Sequence, residues 1–330
     1  MDDARTAGRR AWWQAAPPPP TQPVSARRAY GEVMVLFVAF FGSGVASALL
    51  LLAGRLDADP TRGYSWAQLG PASFDDIAVA AMAVALVVLL ARLRGLSVGD
   101  LGLRPRRDDR GRVIFWGELR VAAWAIVALL AGGIITGVLK TGSITTTNPS
   151  AATLLFDAAH SVQAGFVEEC VVLAFLVATL RQARRPTVEI VAVAVLCRVS
   201  YHLYYGPGAL GIAVWAAVFA WLYLRTRSLV PLIAVHCCWD LVVTFAQRWP
   251  SVAGFAALAM VAVVIAAPIS WLVERAGRRR VPPGPWLPPP GWHPDPWRLA
   301  AWRWWDGGRW TELTAPSRTP SGVDRAGASI

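Results

Sequence analysis

Nine ionisable side chains interrupt three stretches that are otherwise almost wholly apolar. Asp157, His160, Glu168 and Glu169 share the first stretch, Glu189, Arg198 and His202 the second, and His236 and Asp240 the third. Ionisable groups in hydrocarbon are costly and by default mark function. Carboxylates beside imidazoles can run general acid–base chemistry. Such groups can take a proton from one reacting atom and hand it to another. Two imidazoles with a carboxylate could instead hold Zn²⁺ with a position left for water. Buried Glu and His also make proton relays in transporters.

Spacing narrows the set. At 1.5 Å per residue, Glu168 lies about 20 Å from the end of its helix at Arg181, and His202 about 22 Å from the start of its helix near Pro186. His236 and Asp240 are four residues apart and project from one helical face, as do Arg198 and His202. One buried site drawn from three helices accounts for them more simply than three separate polar defects. His160, Asp157 and Glu189 fall nearer helix ends and read as structural. Tyr201, Tyr204 and Tyr205 read as an aromatic belt at a membrane boundary.

The elements that must position these groups are membrane helices. The chain has 330 residues, of which 55% are hydrophobic and 16% charged, against about 25% charged in soluble domains. Apolar runs long enough to span recur at 33–54, 77–93, 121–139, 153–180, 187–204, 209–224, 229–247 and 253–273. The expected fold is therefore an all-α polytopic membrane protein of about eight transmembrane helices, with a small Pro/Trp-rich C-terminal module. The net charge of +11 is a topology signal rather than a nucleic-acid footprint. With the N-terminus cytoplasmic, 22 basic residues fall on the cytoplasmic side of the spans and four on the other, as the positive-inside rule requires. No nucleic-acid partner is expected, and the lipid bilayer is. The four cysteines lie inside predicted spans without zinc or disulfide spacing. The first 28 residues are polar and Arg-rich with a Pro17–Pro20 run, unlike the apolar core of a signal peptide. Seven tryptophans crowd between Trp286 and Trp310, enough for a small Trp-packed β module or an interfacial appendage.

Three motifs taken in order resemble a known family. Gly165-Phe166-Val167-Glu168-Glu169, then Tyr201-His202-Leu203, then Ala234-Val235-His236-Cys237-Cys238-Trp239-Asp240 look like the CPBP intramembrane proteases. That family includes the CAAX prenyl endopeptidases and bacteriocin-processing or immunity relatives. Its pattern is Glu-Glu-x-x-x-Arg, Phe-x-x-x-His and His-x-x-x-Asn/Asp on successive helices. Two positions depart from it: Leu173 stands where the family has the first-motif arginine, and Arg198 where it has the second-motif phenylalanine. The tail, with its Pro-Pro-Gly-Trp and Arg-Trp-Trp-Asp-Gly, resembles a short bacterial domain of unknown function.

The resemblance implies a division into a disordered cytoplasmic tail (1–28) and a protease-like domain (29–280, motifs in 150–247). A Trp-rich module (281–315) and a disordered end (316–330) follow. It implies an endopeptidase in the cell membrane acting on a membrane protein or peptide. Glu168 with His202 would activate water, His236 and Asp240 would stabilise the oxyanion, and Glu169 would be a supporting carboxylate. Arg198 would replace the lost arginine, pairing with Glu169 and leaving Glu168 free. The metal alternative is Zn²⁺ on His202, His236 and Glu168, although the His-Glu-x-x-His signature is absent. A catalytically silent scaffold or immunity-type protein is the competing class, and a transporter is disfavoured by the lack of a visible inverted repeat. Both termini are expected in the cytoplasm. Reporter fusions after Gly142 should report the external side and fusions after Pro282 the cytoplasmic side; an external C-terminus would overturn the orientation.

Overall fold

The computed structural model describes residues 24–55, 66–104, 115–139, 150–246, 249–280, 290–295, 300–306 and 310–315. Most of the N-terminal tail, the basic loop beyond Arg104 and the end at 316–330 lie outside them. Two compact units emerge, Met1–Trp271 and Leu272–Ile330.

The first unit is a bundle of apolar helices, and the chain is a multi-pass membrane protein. Its helices are α1 (Ala26–Leu52), α2 (Trp66–Leu93), α3 (Phe115–Leu139), α4 (Ala151–Glu168), α5 (Leu176–Gln182), α6 (Thr187–Ser200), α7 (Ala209–Thr226), α8 (Val230–Ala246) and, as far as Trp271, α9 (Pro250–Arg280). A π-helical segment, Glu169–Phe175, joins α4 to α5, so Ala151–Gln182 is one continuous 32-residue rod. Among the described residues six helical stretches are long and apolar enough to cross a membrane, and Val230–Ala246 is a shorter apolar helix. The rod from Ala151 is 78% buried over its most apolar window, against 17% for the corresponding windows of α1, α2 and α9. It is the axis of the bundle. The peripheral helices turn side chains such as Val35, Leu93, Val138 and Phe255 outward, as lipid-facing surfaces do.

Helix starts follow local chemistry. Ser25 and Ser150 cap α1 and α4 by accepting from the backbone N–H of Arg28 and Thr153, which satisfies otherwise orphaned donors. The expected fifth span is shorter than its apolar run. α6 stops at Ser200, and a 3₁₀ segment, Leu203–Gly208, follows. The cause lies just downstream. Gly206 takes φ 57° and ψ −131°, a conformation open to glycine, and Pro207 after it has no N–H to continue a helix.

Lipid tails give helices no hydrophobic reason to associate, so close packing through small residues must do so. A Cβ on Gly211 of α7 would lie 2.1 Å from the Gly132 carbonyl oxygen of α3, and one on Gly132 would lie 2.6 Å from that of Gly211. On the other side of the bundle, a Cβ on Gly165 of α4 would meet Cys237 Sγ of α8 at 2.4 Å. These glycines bring the helix backbones together.

The second unit holds a three-stranded antiparallel sheet in the order β1 (Gly291–Pro294), β2 (Trp302–Trp305), β3 (Trp310–Ala315). Trp292 faces Trp304 across β1 and β2, with ring centroids 5.5 Å apart, and Trp305 is buried. The enclosed Asp295 carboxylate accepts from Arg303 Nε at 2.9 Å and from the Ala300 N–H at 2.9 Å. The tryptophan-rich tail thus forms a β module. In the first unit, Gly211→Leu should wedge α3 from α7. Such overpacking costs about 1–3 kcal/mol or more, seen as a lower melting temperature of the detergent-solubilised protein. Unchanged melting would show that the α3–α7 contact is dispensable.

Candidate active site

Three elements meet where α4 becomes π-helical. Glu168 ends α4 and Glu169 opens the π segment, a kind of local irregularity frequent at functional sites. Adjacent residues on a helix normally diverge, yet here one cation takes both. The Arg198 guanidinium, from the last turn of α6, gives Nη1 to Glu168 Oε2 at 2.5 Å and Nη2 to Glu169 Oε1 at 2.9 Å. The planar fork of arginine suits such two-handed pairing. Arg198 is only 2% exposed, and its Cζ sits 4.7 Å from the Trp215 ring centroid, a cation–π contact.

This geometry corrects one expectation. Arg198 does pair with Glu169, but Glu168 is not left free. Its Oε2 accepts from Arg198 and also from the Tyr201 hydroxyl at 2.9 Å. Its Oε1 takes no hydrogen bond from a described residue. The two carboxylates also differ in access: the Glu168 side chain is 11% exposed and that of Glu169 is fully enclosed.

From α8, His236 Nδ1 donates to Glu169 Oε1 at 2.8 Å, since a carboxylate can only accept. Its Nε2 lies 3.5 Å from Asp240 Oδ2, too long for a firm hydrogen bond. Trp215 and Phe219 of α7 present ring edges to His236, with centroids at 5.2 and 6.4 Å. The Gly165–Cys237 contact makes this approach of α8 to the glutamates feasible.

His202 differs from its expected setting. The helix has ended, so His202 sits in the turn before the 3₁₀ segment rather than one turn along α6 from Arg198. Its Nδ1 still reaches back to the Arg198 carbonyl at 2.8 Å. A carbonyl only accepts, so the proton is on Nδ1 and Nε2 carries the lone pair. The His202 ring lies 4.6 Å from Tyr201, 5.9 Å from Tyr204 and 6.1 Å from Tyr205. Glu168, Glu169, Arg198, His236 and Asp240 thus form one connected network, and His202 borders it through Tyr201.

The zinc alternative finds no assembled donor set among the described residues. Glu168 Oε2 is taken by a guanidinium and a phenol, and the cation that lies between the two carboxylates is arginine.

The remaining ionisable groups lie elsewhere. His160 of α4 meets Asp76 of α2 at 3.1 Å. Glu189 pairs with Arg185 at 2.6 Å and also accepts from Tyr30 of α1. Asp157 contributes its carbonyl to the Ser161 hydroxyl. Two residues of the network escaped the sequence reading. Tyr201, read as an aromatic belt, is buried against Glu168; its place three residues after Arg198 was the available signal. Trp215 carries no signal that separates it from any other apolar helix residue.

The bundle is that of a polytopic membrane protein that encloses one network of carboxylates, a guanidinium and an imidazole. A protein-family model described as type II CAAX prenyl endopeptidase Rce1-like matches residues 149–242. That stretch is similar to the CPBP/CAAX protease family, and it contains Glu168, Glu169, Arg198, His202, His236 and Asp240. No curated protein matches the chain, and no solved structure does. The matched family is one of proteases, which supports protease activity in general for this protein.

Removing the shared cation is the sharpest test of the network. Arg198→Leu strands two enclosed carboxylates, and breaking a buried ion pair costs about 3–5 kcal/mol. We expect a large drop in melting temperature and membrane abundance. Leu173→Arg combined with Arg198→Phe should recover part of it. A silent Arg198→Leu would show that the clamp carries no stability.

Proposed function

We propose that the protein is an endopeptidase of the cell membrane, with both termini cytoplasmic, that cleaves a membrane-associated protein or peptide. The observation that carries this reading is the pair of unequal carboxylates. Each keeps one oxygen without a donor among the described residues, but that of Glu169 is sealed, whereas the Glu168 side chain is 11% exposed. Glu168 Oε1 and the lone pair on His202 Nε2 are the groups that would draw a proton from water. The resulting hydroxide would attack the peptide carbonyl, breaking its π bond and placing charge on oxygen. His236 as the imidazolium, with Nδ1–H held by Glu169 and Nε2–H loosely faced by Asp240, would stabilise that oxyanion. The proton collected by Glu168 would then pass to the leaving amine as the C–N bond breaks.

One observation favours the competing reading of a catalytically silent scaffold or immunity-type protein. Arg198 grips Glu168 as well as Glu169, and a carboxylate already paired is a weaker base. Comparative membrane proteomics separates the two. In cells carrying Glu168→Gln, His202→Ala or His236→Ala, one protein should accumulate uncleaved. Its cleavage should be slowed about 100-fold or more, the usual worth of a general acid or base. Each variant should remain in the membrane at wild-type level. Wild-type cleavage by Glu168→Gln would remove the base role, and identical proteomes in all strains would favour the scaffold.

A further inference from the structure

We infer that Tyr201 is a positioning residue of this site. Its phenol and the Arg198 guanidinium together hold one oxygen of Glu168 and leave the other as the oxygen that meets water. This rests on the endopeptidase reading for what the positioned carboxylate does, and on geometry alone for the positioning.

Three observations converge on it. Both donors reach the same atom, Oε2, with the Tyr201 hydroxyl at 2.9 Å and Arg198 Nη1 at 2.5 Å. Two donors on one oxygen fix the carboxylate plane and direct Oε1 away from them. The phenol is also enclosed, with Tyr201 8% exposed, so its O–H has no bulk water to prefer over the carboxylate. Finally, its ring is clamped. Phe41 of α1 stacks on it at 4.6 Å and 18°, and a Cβ on Gly44 would lie 3.5 Å from the Tyr201 Cβ. His202 packs beside it at 4.6 Å. A belt tyrosine would place its ring at the lipid boundary with the hydroxyl in headgroups. This one instead connects α1, the end of α6 and the proposed base.

The arrangement explains how α1, outside the three motifs, takes part in the site. α1 braces the Tyr201 ring, the ring sets the direction of the hydroxyl, and the hydroxyl helps to set the direction of Glu168. Phenylalanine would keep the stack on Phe41 and lose only the donor.

The test uses a reagent that reads the state of Glu168 without any substrate. Dicyclohexylcarbodiimide partitions into membranes and adds to protonated carboxyl groups there. The carboxyl proton goes to one nitrogen and the carboxylate to the central carbon, and rearrangement leaves a stable acylurea. The full-length protein in native membranes would be treated with it, and labelling of Glu168 and Glu169 read by peptide mass spectrometry. Hydrogen bonds to an ionised group are among the stronger ones, so losing the Tyr201 donor should speed labelling of Glu168 about tenfold. Glu169, which Tyr201 does not touch, should be unchanged. Phe41→Leu, which keeps the hydroxyl but loosens the ring, should give a smaller increase at Glu168. Equal labelling of Glu168 in wild type and Tyr201→Phe, including none in either, overturns the inference, as does an equal rise at Glu169. Faster labelling at Glu168 alone supports it. If that result comes with no protein accumulating in the Glu168→Gln strain, the positioning stands and the endopeptidase reading falls.

Discussion

A single guanidinium enclosed in an apolar bundle between two neighbouring carboxylates sets the terms for the rest of this protein. Even the mildest scale puts an arginine at mid-membrane at about 2.5–3.5 kcal/mol, and two adjacent carboxylates repel each other as well. Arg198, Glu168 and Glu169 each remove the others' penalty, with contacts of 2.5 and 2.9 Å. Such a pair is weak evidence for net stability, because desolvation offsets much of the attraction. It does fix geometry. α6 must end within a turn of the rod, and Trp215 of α7 must close over the guanidinium face. The arrangement is also incomplete. Glu169 Oε2 is buried without a hydrogen-bond partner among the described residues, and an unsatisfied group of this kind costs about 1–3 kcal/mol. Leu173, where the family pattern has arginine, supplies no donor. Arg198 therefore neutralises the pair without satisfying every acceptor.

The backbone arrangement around that cluster follows from two local choices. The passage from α-helix to π-helix between Glu168 and Glu169 changes how successive side chains are aimed, so residues adjacent in sequence can serve one guanidinium. The second choice is glycine at 165. With no side chain there, α8 comes close enough for Cys237 to touch the α4 backbone, and His236, the residue before it, reaches Glu169. A larger residue at 165 would separate imidazole from carboxylate without altering either.

How much of this was legible depends on the physics of each feature. The spans and the central place of the Glu-Glu stretch follow from hydropathy, because hydrocarbon admits few polar groups. Motif order foretold that Glu168, Glu169, His236 and Asp240 would meet, and in the structure they do. The end of α6 was missed because Val199 and Ser200 continue the helical pattern, while Gly206 and Pro207, which force the break, lie beyond it. His202 was accordingly placed on a helix it does not occupy. The double grip of Arg198 was missed because which carboxylate a guanidinium reaches depends on a π turn that no residue type announces. Tyr201 was misread since a tyrosine near a helix end by itself fits two environments. The spacing from Arg198 favours the buried one, and the stack on Phe41 with the hydrogen bond to Glu168 places it there.

The network is graded from sealed to open, and the gradient bears on how hydrolysis inside a membrane can be confined. Arg198 and Glu169 have almost no accessible surface, and the His236 side chain has 5%. Glu168 has 11% and Asp240 31%. Among the described residues the accessible edge of the network is therefore the one with Glu168 and Asp240, and His202 borders it beside the rings of Tyr204 and Tyr205. The sealed half cannot exchange partners without opening the bundle, so its charges act as a fixed field. The open half can exchange hydrogen bonds as a reaction proceeds. A preorganised charge set behind a small accessible face suits electrostatic stabilisation of a transition state, since the sealed groups need no reorganisation at the moment of reaction. The same division explains the two readings of the protein. The sealed half would be preserved in an enzyme or in a scaffold, for it holds the helices together. Only the open half, at Glu168 Oε1 and His202 Nε2, distinguishes catalysis from support.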